Sequence, residues 1–142
     1  RIAGTHDYDV NALRWSPADE NLLLSAGADA DAQLHDIRQP KAVLHTLRGH
    51  ARVAAGGRQY GIHQPTFCGG GSAVCIMGDN SNLLSVYSAE TGLALSRGQV
   101  DWDWKDRQGT TIGLVPPSDG QPHEVMLVAH QEFVSPFQPV YA

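Results

Sequence analysis

Three short apolar runs recur along the chain at nearly constant spacing. They begin 52 and 51 residues apart, at residues 22–24 (LLL), 74–77 (VCIM) and 125–128 (VMLV). A segment that ends in proline precedes each run, at residues 14–17, 63–65 and 114–117. Because two separate features share one period, the sequence indicates an internal repeat of about 50 residues.

The first two repeats continue with turns and further strand-like stretches. The stretch after the apolar run lies at residues 32–37 in repeat one and 83–88 in repeat two. A tight turn then leads to another short stretch, at residues 42–47 and 93–96. Together with the segment before the apolar run, each repeat predicts four short strands joined by turns.

Four short strands in a unit of this length are typical of a β-propeller blade. The inner strands of a blade are covered on both faces by neighbouring blades, so they form continuous apolar runs. We therefore predict an all-β fold, a partial β-propeller of about three four-stranded antiparallel blades. The expected boundaries are 1–48 for blade one, 49–98 for blade two and 99–142 for blade three.

Length and composition fit that architecture. The chain has 142 residues, 42% of them hydrophobic and 18% charged, which suffices for one ordinary domain. Its fifteen glycines and eight prolines are spread so evenly that no stretch without either exceeds 13 residues, which argues against long helices. No apolar run approaches the ~20 residues of a bilayer span, so we expect a soluble chain.

The charge argues against nucleic-acid and membrane partners. Asp and Glu total 15 against 10 Lys and Arg, for a formal net charge of -5, and the basic residues form no stripe. Proteins that bind nucleic acids cluster their basic residues, and binding to an anionic membrane requires such a cluster as well. We therefore expect no membrane partner, and we do not expect direct nucleic-acid binding.

The two cysteines predict buried free thiols. Cys68 and Cys75 are seven residues apart and lack the C-x-x-C spacing of a zinc or redox site. Free thiols persist in reducing compartments, so the expected location is intracellular, in the cytoplasm or nucleus.

Repeat one carries the pattern of a known repeat family. It runs from Thr5 and His6 through residues 10–17 and 21–29 to residues 34–38, and Gly49 and His50 stand where the next repeat begins. In these elements the chain resembles the WD-repeat (tryptophan-aspartate) family of β-propellers. The resemblance covers residues 5 to about 98, and spacing alone continues it beyond.

The resemblance implies a hydrogen-bonded tetrad of His, Asp, Ser or Thr, and Trp that holds a blade together. The matching positions are His6, Asp29, Ser25 and His35. His35 replaces the Trp, and its imidazole can still donate toward Ser25 although it fills less volume than an indole. Repeat two has Ser81 where the turn Asp would stand, so we expect packing to hold that blade.

Some candidate partner-binding residues lie in two loop segments that the propeller fold would place on one face. One segment contains Arg52, Arg58 and Tyr60, and the other contains Trp102 and Trp104 between charged residues. Exposed tryptophans are typical of binding hot spots. The same alternation also fits a strand whose two tryptophans pack against blade three.

Residues 23–38 resemble the box by which many WD-repeat proteins dock on the propeller adaptor of cullin-RING ubiquitin ligases. In such receptors an Asp and an Arg contact the adaptor, and the matching residues are Asp36 and Arg38. Plain blade architecture is the alternative, because both residue types are common at these positions for turn and solvation reasons.

The sequence offers no enzyme motif. The run 69–72 (GGGS) lacks the Gly-Lys-Ser/Thr ending of a phosphate loop, and we predict a hairpin between the first two strands of blade two. Neither a G-x-S-x-G elbow nor an H-E-x-x-H helix occurs. We expect no catalytic residue, cofactor or metal. A hydrolase that uses the tetrad His and Asp is the alternative from another class.

Three blades do not close a ring, since propellers typically have ~4 to 8. We expect the remaining blades to come from a longer parent chain or from another chain. The predicted function is a non-enzymatic protein–protein interaction scaffold in a larger complex, with other protein subunits as partners. A substrate receptor that docks on the ligase adaptor is the alternative binding role.

Overall fold

The computed structural model describes residues 6–7, 9–28, 31–48, 65–77, 83–99, 111–115, 125–130 and 133–137. Within these ranges the secondary structure consists of strands and one turn of 3₁₀ helix, Gly69–Gly71. The strands are β1 (Val10–Trp15), β2 (Leu22–Gly27), β3 (Ala32–Asp36), β4 (His45–Leu47), β5 (Thr66–Cys68), β6 (Ala73–Met77), β7 (Leu83–Ser88), β8 (Ala94–Gln99), β9 (Thr111–Val115), β10 (Val125–His130) and β11 (Phe133–Phe137).

These strands form three antiparallel sheets in which sequence neighbours pair. Sheet one has the order β1-β2-β3-β4, sheet two the order β5-β6-β7-β8, and sheet three the order β11-β10-β9. The three apolar runs fall in β2, β6 and β10. The predicted all-β class is confirmed, and the two four-stranded sheets are consistent with blades of a partial propeller.

Two inner strands, β3 and β6, are buried along their whole length. Every residue of β3 and of β6 is buried, which explains why β6 has no polar alternation. In the middle of β2 and β3, Leu24 and Leu34 have no exposed surface. A strand covered on both faces contributes hydrophobic stabilisation from both sides, about 1.5–3 kcal/mol for each large aliphatic side chain.

Sheets one and two pack face to face through one hydrophobic core. Sheet one contributes Leu24, Ala26, Ala32, Leu34 and Leu47, and sheet two contributes Phe67, Val74, Ile76, Tyr87 and Ala89. The shared core fixes the two sheets relative to each other. The turns after β1, β3, β5 and β7 are therefore held at defined positions.

The fourth strands differ from their predicted bounds. β4 has only three residues, because turn hydrogen bonds from Gln39 N–H to Asp36 O and from Ala42 N–H to Gln39 O extend to residue 42, where the strand was predicted to begin. β8 starts one residue later than predicted and continues to Gln99. Residues typical of a turn can be recognised in the sequence. The residue at which the next strand begins to pair depends on its partner strand, and the sequence does not show it.

The glycine run forms the hairpin connection that its composition predicts. Gly69, Gly70 and Gly71 all have positive φ, and β5 and β6 on either side of them pair antiparallel. A Cβ on Gly71 would lie 2.8 Å from the Cβ of Ala18 in the turn between β1 and β2 of sheet one. Glycine at this position thus allows the hairpin to approach the neighbouring sheet closely.

Both cysteines are buried thiols that form no disulfide, as predicted. Cys68 ends β5 and Cys75 lies in β6. They contribute to the packed interior of sheet two as small apolar side chains.

Candidate protein-interaction site

A hydrogen-bonded chain of side chains links β2 and β3 to the segment that precedes β1. The Oγ of Ser25 lies 2.8 Å from Nε2 of His6 and 2.8 Å from Nε2 of His35. Ser25 and His35 are only 4% and 1% exposed. The structure therefore brings together three of the four residues matched to the tetrad, and Asp29 lies outside the described residues.

The second ring nitrogen of His35 determines which group donates in each of these two hydrogen bonds. Its Nδ1 is buried and has no hydrogen-bond partner among the described residues. Buried N–H groups without an acceptor are rarer than buried acceptors without a donor, so we assign the proton to Nε2. His35 then donates to the Ser25 hydroxyl, which donates in turn to His6, and the indole N–H of a Trp at position 35 would donate in the same direction.

Burial favours the neutral form of the His35 imidazole. Loss of solvent first, and the nearby His6 ring second, lower the pKa of His35 from its ordinary value of 6.5. A charged ring would be desolvated and would face a second imidazole, so protonation opposes the folded state.

Sheet two replaces this polar chain with apolar packing and a bond between the sheets. The pairing registers place Ile76 at the position of Ser25 and Tyr87 at that of His35. Tyr87 is 2% exposed and its hydroxyl donates to the carbonyl oxygen of Arg48 at 2.7 Å. Burial raises the pKa of the Tyr87 phenol, so the ring keeps the proton it donates. Ser81 lies outside the described residues.

Asp36 and Arg38 form a two-pronged ion pair at the end of β3. Arg38 donates from Nε to Oδ1 of Asp36 at 2.9 Å and from Nη2 to Oδ2 at 2.7 Å, and its backbone N–H also donates to Oδ1. These bonds lower the pKa of the Asp36 carboxyl. The Asp36 side chain is 12% exposed and that of Arg38 63%, so a largely covered carboxylate holds an accessible guanidinium in place.

A cavity of about 580 Å³ opens beside this ion pair, between sheets one and two. Leucines from both sheets and three carboxylates contribute to its lining, which includes Asp19, Leu22, Asp36, Arg38, Leu44, Glu90 and Leu95. The turns after β1, β3 and β7 bring their residues to this one edge. We name this cavity the inter-sheet pocket.

A close contact fixes the two sheets next to the inter-sheet pocket. Nε2 of His45 lies 2.7 Å from the carbonyl oxygen of Glu90. Gly92 has a φ of 70°, and a Cβ there would lie 2.8 Å from both Cβ and Cγ of His45. Glycine at position 92 therefore allows both the positive φ of the turn before β8 and the close packing of this turn against His45.

Among the residues that line the inter-sheet pocket, the sequence predicted a partner-binding role only for Asp36 and Arg38. Asp19, Glu90 and the leucines were missed, because the pocket combines turns from two different repeats. Only the topology could have indicated the pocket. In a blade, the turn between strands one and two and the turn between strands three and four lie at the same edge of the sheet. Five other candidates, Arg52, Arg58, Tyr60, Trp102 and Trp104, lie outside the described residues.

Within the described ranges, no cluster of three or more His, Cys, Asp or Glu side chains has a geometry suited to a metal ion. The same part of the chain has no helix with the length and hydropathy needed to cross a bilayer.

No protein-family profile matches the chain, but two curated proteins share short similar segments with it. The ribosome biogenesis protein WDR12 homolog of Caenorhabditis briggsae is 37% identical over 41 residues, which are 29% of this chain and 9% of that protein. The histone acetyltransferase type B subunit 2 of Kluyveromyces lactis is 42% identical over 40 residues, which are 28% of this chain and 10% of that protein.

Both similar proteins are WD-repeat proteins. The similarity supports WD-repeat character over a limited part of this chain, in agreement with its sheets. The matched segments span about a tenth of each relative.

Proposed function

We propose that this chain is a protein-interaction scaffold, in which packed WD-repeat blades present a fixed surface to other subunits of a larger complex. The observation that carries the proposal is the core shared by sheets one and two, which holds the turns of both repeats in place. A surface that is ordered before binding loses less conformational entropy when a partner docks. Affinity then comes from placement of side chains rather than from chemistry.

The proposed role is not enzymatic. Ser25 lies between two imidazoles, as a nucleophile beside a base would, but its side chain and that of His35 are almost completely buried. A substrate must reach the nucleophile within hydrogen-bond distance of the base. The burial supports a structural role for the three side chains, with the fourth tetrad position at Asp29.

We also propose blade boundaries at 1–48, 49–98 and 99–142, with further blades supplied by a parent chain or a partner. Leu13 and Trp15 on β1 are 55% and 57% exposed, and large exposed apolar side chains favour a covering surface. Buried thiols that form no disulfide and the names of the two relatives support a location inside the cell, in the cytoplasm or nucleus.

The scaffold proposal is tested by capturing the full tagged chain from its native cells. Quantitative mass spectrometry of the eluate is expected to find defined protein partners in fixed ratio to the bait. The matched control is Leu34→Asp, which places a charge in the shared core and disrupts the surface. Partners that are lost with the control are specific to the folded chain, whereas an eluate that holds only chaperones for both baits contradicts the proposal.

The second candidate is docking on the adaptor of a cullin-RING ligase. It is supported by the Asp36–Arg38 pair, which presents an accessible guanidinium in a fixed orientation. We expect Arg38→Glu to abolish binding to the purified adaptor in a surface plasmon resonance assay. Arg14→Glu is the control, because Arg14 is also exposed and, among the described residues, its side chain bonds only the neighbouring Leu13 carbonyl. Equal binding by the two variants would remove this candidate.

A further inference from the structure

The inter-sheet pocket has features of a docking groove that the ion pair does not account for. Its leucines include Leu44 and Leu95, which are 43% and 56% exposed. They come from different repeats, so both repeats contribute exposed apolar side chains to the lining. A volume of about 580 Å³ is sufficient for one or two side chains of a partner.

The charges around the groove are unbalanced. The carboxylate of Asp36 is matched by Arg38, whereas no ion pair to Asp19 or Glu90 exists in the described part of the chain. Asp19 is held in place, because its Oδ1 accepts the backbone N–H of Asn21 at 2.8 Å and its amide at 3.1 Å. Asp19 also attracts the Arg38 guanidinium, but the lining still holds three carboxylates against this one cation. The groove thus combines apolar walls with an excess of two negative charges.

A partner side chain that satisfies both features must be cationic at its tip and apolar along its stem. Lysine and arginine have that form, since their methylene stems cover apolar surface while the charged group stays in water. An aliphatic side chain nearby in the same segment would cover Leu44 and Leu95. Charge complementarity also disfavours an acidic segment, which would face Asp19 and Glu90.

We propose that the inter-sheet pocket binds a segment of a partner protein in which a lysine or arginine and an aliphatic residue stand close together. The cation lies near Asp19 and Glu90, and the aliphatic side chain packs on Leu44 and Leu95. This inference rests on the proposed scaffold function and names the chemistry of one of its partners.

The test uses a displayed library of random peptides selected on the full 142-residue chain. Enriched peptides are then measured by fluorescence anisotropy against the double variant Asp19→Asn with Glu90→Gln. The Asp19→Asn change keeps a side-chain oxygen for the turn bonds to Asn21, so the loop is preserved. The charge control is Glu20→Gln, which removes an exposed carboxylate next to Asp19 that does not line the pocket.

The apolar wall is tested in the same assay by Leu95→Ser. Its control is Leu93→Ser, because Leu93 is 68% exposed and lies outside the pocket lining. Circular dichroism of each variant verifies that the sheets are retained.

The expected result is enrichment of peptides that pair a basic with an aliphatic residue. Their affinity should fall about fivefold or more on the double charge variant and on Leu95→Ser, and stay within about twofold on both controls. The proposal is overturned if no peptide is enriched or if enriched peptides bind all variants equally. It is also overturned if the polycation spermidine displaces the peptides at the same concentration at which spermidine itself binds the chain, because charge alone would then explain binding.

Failure of this proposal is distinguishable from failure of the scaffold function. If partners captured from cells bind the wild type and the double charge variant equally, the scaffold stands and the pocket proposal is wrong. If basic–aliphatic peptides depend on the pocket but no partner is captured, the pocket stands and the scaffold is wrong.

Discussion

Sheets one and two have the same strand order and equivalent registers, yet different interactions hold them. Sheet one contains a buried polar chain through Ser25 to two imidazoles. Sheet two has Ile76 and Tyr87 at the corresponding positions. The comparison shows that a strand pair with one geometry can be held either by satisfied polar groups or by apolar packing. The residues that hold one sheet are therefore expected to destabilise the other sheet when placed at the equivalent positions.

The largest effect is expected from placing the sheet-one residue into sheet two. Ile76→Ser removes a fully buried aliphatic side chain and leaves a hydroxyl beside Tyr87 and Phe67 in the shared core. We expect a loss of about 3–5 kcal/mol in the free energy of unfolding, measured from the urea midpoint. Ile76→Val is the control and should cost only about 1 kcal/mol. Similar losses for the two variants would show that the core tolerates polar groups.

Two buried serines sharpen the comparison further. Ser25→Ala removes the central group of the polar chain and leaves both imidazoles without it, so a loss of about 1–3 kcal/mol is expected. Ser85 in β7 is also buried, but its hydroxyl has no hydrogen-bond partner in the described ranges. Ser85→Ala should therefore be neutral or stabilising in the same urea titration. Equal destabilisation by both changes would contradict the assigned network.

The two sheets should also respond differently to acid. The folded state lowers the pKa of His35 below 6.5, so below that pH the unfolded chain binds more protons at this site than the folded chain does. His35 therefore stabilises the fold fully above pH 6.5, and that contribution is lost as the pH falls toward its folded pKa. The slope is at most about 1.4 kcal/mol per pH unit.

Urea midpoints measured between pH 7.5 and 5 test this response. Replacing His35 with Gln removes the titrating ring and should flatten the profile relative to the wild type. An unchanged slope in that variant would assign the acid sensitivity to other groups.

The smallest effect concerns the bond between the sheets. Tyr87→Phe keeps the buried ring but removes the donor to the Arg48 carbonyl. A loss of about 0.5–1.5 kcal/mol is expected, because that carbonyl belongs to an exposed residue that water can reach. Differential scanning calorimetry can measure it, and a destabilisation as large as that of Ile76→Ser would mean that the ring itself had moved.

The sequence predicted the elements that depend on local pattern. Continuous apolar runs placed β2, β6 and β10, and turn residues separated them from their neighbours. The family resemblance selected His6, Ser25 and His35, which lie in one hydrogen-bonded chain. These features depend on residues within a single repeat, where spacing along the chain translates directly into position on the sheet.

Features that combine two repeats could not be predicted in the same way. The inter-sheet pocket requires Asp19 and Glu90 to line one cavity from different sheets. Their separation in sequence gives no indication that they are close in space. The length of β4 depends on where pairing with β3 resumes after the turns. Such properties are set by tertiary packing and not by local preference.

The carbonyl of Arg48 makes the end of sheet one depend on sheet two. It follows the last strand of sheet one, yet it accepts from Tyr87 at 2.7 Å and from Arg97 at 3.5 Å in sheet two. The repeat unit of the sequence is therefore not an independent unit of packing. A chain in which the second repeat is removed or exchanged loses both donors, so the stability of sheet one depends on which repeat follows it.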